Sequence, residues 1–123
     1  MAPNGDDILR EDPVREVRRE NGAVVVRLVG ELDVYNAGVV REALTGDGIR
    51  DAERVVVDLA EVAFLDSTML GVLVEARTGL KNRRAFLLAA PGLEVRRALE
   101  ISGLDRHFEV HENVESALAA KLG

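Results

Sequence analysis

Arg54-Val55-Val56-Val57-Asp58-Leu59, continuing through Ala63-Phe64-Leu65-Asp66-Ser67-Thr68-Met69-Leu70-Gly71 to Lys81, is the stretch on which the fold of this chain turns. Val55 to Val57 make a short β-branched run, the composition of a strand buried on both faces, whereas the residues after Ser67 repeat apolar side chains at helical spacing. The chain therefore passes from strand through loop into helix at Asp66-Ser67-Thr68. These residues stand where the unpaired first-turn amides of a helix need a side-chain oxygen, so the expected N-cap is Ser67 or Asp66. Either choice puts the Ser67 hydroxyl at the positive end of a helix dipole, beyond the C-terminal end of a central strand, where open α/β domains gather their function. The helix is expected from about Thr68 to Lys81, with Met69, Val72, Leu73, Ala76 and Leu80 on one stripe and Leu70 and Val74 widening it. Its first turns are apolar nearly all round. One side can meet a sheet, so the surplus must meet a neighbouring helix or an outside partner.

On the N-terminal side, Met1 to Asp12 reads as a mobile tail and residue 13 opens the domain, which runs to residue 123. Val14 to Arg19 is a strand whose heavy charge suits a sheet edge. Asn21-Gly22 signals a type I′ hairpin, and Ala23 to Val29 is the second strand, antiparallel to the first. Gly30 to Asn36 reads as a loop; Val39, Val40, Ala43 and Leu44 then mark a helix that stops near Gly46-Asp47-Gly48. On the C-terminal side, Ala85 to Ala90 is another buried strand. Leu93, Val95, Arg96, Leu99 and Ile101 form a helix closed by Gly103 as a left-handed C′ residue, with Leu104 as its apolar follower. His107 to Val110 is a short last strand, and Asn113 caps a helix carrying Val114, Ala117, Leu118 and Leu122. The order β-β-α-β-α-β-α-β-α predicts a single α/β domain: a mixed sheet of about five strands, an antiparallel hairpin followed by parallel βα units, with about four helices mainly on one face.

With 123 residues, 47% of them hydrophobic, the chain holds one core. A formal net charge of −6 argues against a phosphate-backbone partner, so no nucleic acid is expected. No cysteine is present, which excludes a disulfide framework, a thiol nucleophile and a zinc-thiolate site. No apolar run approaches a membrane span and no signal-like opening is seen, so the expectation is a cytoplasmic protein with no membrane partner, as a monomer or weak dimer. The few aromatic residues, Tyr35, Phe64, Phe86 and Phe108, offer little for base stacking or a sugar platform.

Ser67, His107, His111 and the acids contain the residue types of a hydrolytic triad. The nucleophile elbow, however, needs glycines two residues either side of the serine, and Leu65 and Met69 stand there. His107 and His111 fall in a strand and its exit, not on one helix face, and read as strand-end histidines. Asp33 and Asp58 sit at or just past the ends of adjacent predicted strands, with Asp66 in the loop before the cap, and are better candidates; turn and cap chemistry explains at least one of them, and no ligand spacing supports a divalent metal there. No cofactor is expected. A phosphoryl group on Ser67 would gain helix-dipole and amide contacts while setting about −1.5 to −2 charges beside Asp66 and an apolar surface. A serine at a helix start is also ordinary capping chemistry, so the residues alone leave two readings of Ser67: a plain cap, or a switch for any partner resting on the helix start.

Gly30-Glu31-Leu32-Asp33, Phe64-Leu65-Asp66-Ser67-Thr68-Met69-Leu70-Gly71 and Ser102-Gly103-Leu104 together resemble the STAS domain of bacterial anti-sigma factor antagonists, over roughly Val14 to Leu122. The resemblance implies a regulator, not an enzyme. Its unphosphorylated form would bind an anti-sigma factor that is also a serine kinase and so release a sigma factor; phosphorylation would switch it off and a serine phosphatase would restore it. The family's phosphorylated serine follows the motif aspartate, which carries over to Ser67. The expected partner-binding residues are Asp33, Asp66, Ser67, Thr68, Met69, Leu70 and Val72. The family commonly has glycine where Met69 stands, so this flexible apolar side chain is expected to fill a partner groove or obstruct a kinase. Two other readings remain: a STAS subunit of another assembly, such as a lipid-transport complex or a stress-sensing particle, with no phosphorylation switch; and a small enzyme or nucleotide-binding domain using the acidic corner.

Overall fold

Two strands open the computed structural model, which describes residues 11–122, so that of the expected tail only Glu11 and Asp12 fall within the described residues. β1 (Val14–Glu20) and β2 (Ala23–Leu32) form the antiparallel hairpin, with Val17 opposite Val26 and Glu20 opposite Ala23. Asn21 and Gly22 both take positive φ, 49° and 83°, the requirement of the I′ turn that matches strand twist. Six of the seven residues of β1 are exposed, and Arg18 lies between Glu16 and Glu20 with an ion pair to each, so this edge carries mixed charge.

α1 (Ala37–Thr45) and a four-residue helix, α2 (Asp47–Arg50), lead to β3 (Arg54–Leu65). α3 (Ser67–Thr78), β4 (Phe86–Ala89), α4 (Leu93–Ser102), β5 (Glu109–His111) and α5 (Val114–Ala119) follow. The sheet order is β1-β2-β3-β4-β5, parallel from β2 onward. Successive strands adding side by side send every crossover to the same face. Val24, Val26, Val55, Val57, Phe86 and Leu88 accordingly meet α1, α3 and α4 there. The alternate residues Val25, Val56, Leu87 and Ala89 face the other way and are covered by Ala117, Val114 and Leu118 of α5, so the helices lie mainly on one face, as expected, with the last one on the other. α5 follows the edge strand and has no further strand to reach, which frees it to close the second face.

The expected short central strand is corrected by the structure. β3 runs for 12 residues, and β2 continues to Leu32 where a loop from Gly30 was expected. β4 pairs with β3 only as far as Asp58 opposite Ala89; beyond that row β2 and β3 continue as a two-stranded extension, Gly30 opposite Val62 and Leu32 opposite Leu65. Asp58 thus lies within a strand and not at its end. Along the extension Leu59, Val62 and Leu65 are buried at intervals of three, because the register shifts between Arg27 and Val29 and again between Gly30 and Glu31. Such irregularities remove the alternation by which a half-buried strand is recognised. On α4, Leu93 and Ile101 are exposed, the latter by 87%, and only Val95 and Leu99 hold the expected stripe. Gly103 is left-handed at φ 79°, with half-buried Leu104 packed against the core as expected.

The Arg54 guanidinium donates to the carbonyls of Ala117 (2.5 Å) and Leu118 (2.8 Å), satisfying the end of α5 and tying it beneath the sheet. Arg54→Met keeps the aliphatic stem and removes these charge-assisted bonds. It is expected to lower unfolding free energy by about 1–2 kcal/mol in a urea titration and to speed amide exchange in α5. An unchanged midpoint and unchanged exchange would contradict this role.

Candidate functional site

The extension of β2 and β3 delivers two chain segments to one corner. β2 leaves at Leu32 into the turn Asp33–Asn36 and then α1; β3 leaves at Leu65 into α3. Gly30, at φ 82°, sits beside the register shift that turns the end of β2 toward this corner, a backbone state a side chain would resist. The ladder ends with the Asp66 amide donating to the Leu32 carbonyl at 3.1 Å.

Asp66 is the N-cap of α3, settling the choice left open between it and Ser67. Its Oδ1 accepts from the Met69 amide at 3.0 Å and its Oδ2 from the Val34 amide at 3.1 Å. One carboxylate therefore fixes the first turn of the helix and the turn that leads into α1. Asp33 acts locally: Oδ1 accepts from the Tyr35 amide (3.0 Å), and its own amide donates to Oδ1 of Asn36 (2.8 Å). Asn36 in turn donates from Nδ2 to the Glu31 carbonyl at 2.8 Å. Turn and cap chemistry thus accounts for these bonds of both acids. Asp58 accepts from the Ala60 amide and stands apart from the corner.

Ser67, the first residue of α3, is exposed, as is Thr68. Ser67, Gly71, Val74 and Thr78 share one outward line at helical spacing, and all are exposed. The opposite side turns inward: Met69 is 0%, Val72 1% and Leu70 8% exposed. The expectation that Met69, Leu70 and Val72 present side chains to a partner is therefore corrected. Each falls on the part of the helix turn that faces the sheet or α1, so Met69 fills the core where it was expected to fill a partner groove. The apolar surplus of α3 is absorbed largely by α1, whose Val40 and Leu44 join the same core. Arg41 and Glu75 link the two helices above it at 2.8 Å.

Apolar surface is present at this corner on residues that the pattern of the sequence did not single out. Val34 (59% exposed), Tyr35 (85%) and Phe64 (48%) flank the Asp66 joint, with Val39 and Val74 on the adjoining helices. The other two aromatics, Phe86 and Phe108, are buried and pack on one another at 5.9 Å between ring centroids, whereas Tyr35 and Phe64 stay at the surface. Among the described residues no three histidine, aspartate or glutamate side chains gather as a metal site. His111 lies 3.1 Å from Glu109, while His107 is exposed at the far end of the sheet. No helix of the described residues is long and apolar enough to cross a membrane.

A hairpin-led, sequentially ordered sheet with an exposed serine just past an aspartate cap defines a class: the chain belongs to the STAS domain family, whose family model matches residues 15–117. Among its relatives, the anti-sigma-B factor antagonist of Listeria monocytogenes serovar 1/2a is 36% identical over 102 residues, 81% of this chain and 88% of that protein. The anti-sigma-F factor antagonist RsfB of Mycobacterium tuberculosis is 31% identical over 108 residues, 87% of this chain and 88% of that one. The crystal structure of an anti-sigma factor antagonist from Mycobacterium paratuberculosis is similar at TM-score 0.77 and 29% identity, over 84% of this chain and 88% of that chain.

Asp66→Ala removes both acceptors, and its expected cost is about 1–3 kcal/mol in a denaturation curve. Asp66→Asn, which keeps one carbonyl oxygen, is expected to fall between alanine and wild type. Wild-type stability for Asp66→Ala would show that the joint is not needed.

Proposed function

We propose that this chain is an anti-sigma factor antagonist. In its unphosphorylated form it binds an anti-sigma factor, itself a serine kinase, and releases a sigma factor; phosphorylation of Ser67 ends the complex, and a serine phosphatase restores it. The names of its relatives support the first half of this reading over a permanent subunit of another assembly. The observation that carries the second half is the position of Ser67: exposed, at the first turn of α3, beside Val34, Tyr35 and Phe64. The chain acts as a binding protein in the cytoplasm and contributes no catalytic group; the kinase brings its own nucleotide.

Exposed Val34, Tyr35, Phe64, Val39 and Val74 supply apolar area, and Ser67, Thr68 and Gly71 leave room for a partner backbone between them. A phosphoryl group on Ser67 would be tolerated by the free protein, because the helix dipole and first-turn amides offset part of the repulsion from Asp66. In the complex it would have to be stripped of water against apolar surface next to a carboxylate, which is costly. The charge therefore penalises the complex more than the fold, which is what a switch requires.

With the cognate anti-sigma kinase and ATP, one phosphate is expected; Ser67→Ala abolishes it and Thr68→Ala does not. By calorimetry, Ser67→Asp and Tyr35→Ser should each weaken the complex by about tenfold or more, with circular dichroism unchanged, whereas Met69→Leu should bind as wild type. Undiminished binding by Ser67→Asp would leave a docking module without a switch.

A further inference from the structure

At the end of the sheet remote from Ser67 lies a cleft of about 400 Å³ lined by Arg77, Arg83, Arg84, His107, Glu109 and Lys121, with Phe86 and Leu122 among its walls. Three parts of the chain supply its cations: Arg77 comes from the last turn of α3, Arg83 and Arg84 from the 3₁₀ turn before β4, and Lys121 from beyond α5, while the His107 ring joins the lining from just before β5. Ser67 begins α3 and Arg77 nearly ends it, so about 15 Å of helix axis separates the two places.

Among the described residues the cations of the cleft have no carboxylate of their own. Five arginines elsewhere do, Arg15 with Glu11, Arg18 with Glu16 and Glu20, Arg27 with Glu61, Arg41 with Glu75 and Arg97 with Glu94, and Arg19, Arg54 and Arg96 donate to backbone carbonyls. Among the described residues none of Arg77, Arg83, Arg84 or Lys121 has such a partner, although the chain carries a net charge of −6. The one acid in the lining, Glu109, is directed to His111 at 3.1 Å. Four cations thus line one concave, partly apolar space, where field lines concentrate and an arriving anion relieves their mutual repulsion.

We infer that this cleft is a binding site for a small condensed phosphate, a chain of two or more phosphoryl units. Three points select that chemistry. Guanidinium groups present paired donors at the spacing of phosphate oxygens, and three of the four cations are arginines. Four cations from three segments line one space, so a ligand with several anionic units can meet more of them than a single phosphate can. The volume falls in the range of small-ligand pockets, and the concavity suits a compact ligand over an extended acidic peptide. Nothing in this site overlaps the corner around Ser67, so it stands whether or not the proposed switch does.

The test is a titration of the ¹⁵N-labelled full chain with inorganic tripolyphosphate at constant, near-physiological ionic strength. Saturable amide shifts confined to the segments around Arg77, Arg83 to Phe86 and His107 to Glu109 are expected, with an apparent Kd below about 1 mM and a raised Tm. Arg83→Gln with Arg84→Gln should weaken binding by about tenfold or more; Lys121→Gln, a single exposed change, should weaken it less and guards against a folding defect in the double variant. The inference is overturned if no saturation is reached, if sulfate or hexaglutamate at the same ionic strength shifts the same amides as strongly, or if well-folded variants bind as wild type.

Discussion

The Asp66 carboxylate accepts from two backbone amides that lie far apart in sequence, Met69 at the start of α3 and Val34 in the turn after β2. Everything at the candidate site depends on this joint. It decides where the helix begins and therefore which way Ser67 faces. It also holds the turn that carries Tyr35 beside the same helix start. The geometry has a second consequence: a group added to Ser67 sits next to a carboxylate that cannot turn aside without releasing two amides, so its charge meets a fixed neighbour.

Helical geometry then sorts the apolar residues of α3 by function. Met69, Leu70, Val72, Leu73 and Ala76 are buried, while Ser67, Gly71, Val74 and Thr78 line the open side. A hydrophobic residue at the motif position where the family commonly has glycine therefore bears on packing more than on access. The open side is small-residued at its centre and apolar at its margins, an arrangement suited to a close partner backbone with side chains anchoring around it. At the other end of the sheet the surface changes character altogether, from apolar to cationic. Two faces so different in chemistry suit two different kinds of ligand.

Much of the fold was legible because its signals are local. Asn21-Gly22 demands positive φ, Gly103 closes a helix, and Val55 to Val57 are β-branched in a run, and each of these appears in place. The continuation of β2 and β3 was not legible, since two register shifts break the period-2 pattern over the last residues of both strands, Arg27 to Leu32 and Asp58 to Leu65. Only pairing between distant segments makes Ala60 to Leu65 a strand. The site was half legible. Ser67 at a helix start follows from cap chemistry, but a run of apolar residues nearly all round a helix start does not tell which are inward, and Met69, Leu70 and Val72, expected to meet a partner, are buried. The exposed set of Val34, Tyr35 and Phe64 comes from three segments that sequence spacing does not bring together.

The proposed switch requires that negative charge at Ser67 act on the complex and leave the fold intact. The most direct measurement is a calorimetric titration of the anti-sigma factor with the enzymatically phosphorylated chain beside the unmodified one, after amide spectra have established that both are folded alike. The account predicts spectral changes limited to Val34–Asn36 and Ser67–Leu70 together with an affinity at least about tenfold weaker for the phosphorylated form. Equal affinities from two equally folded forms would contradict it.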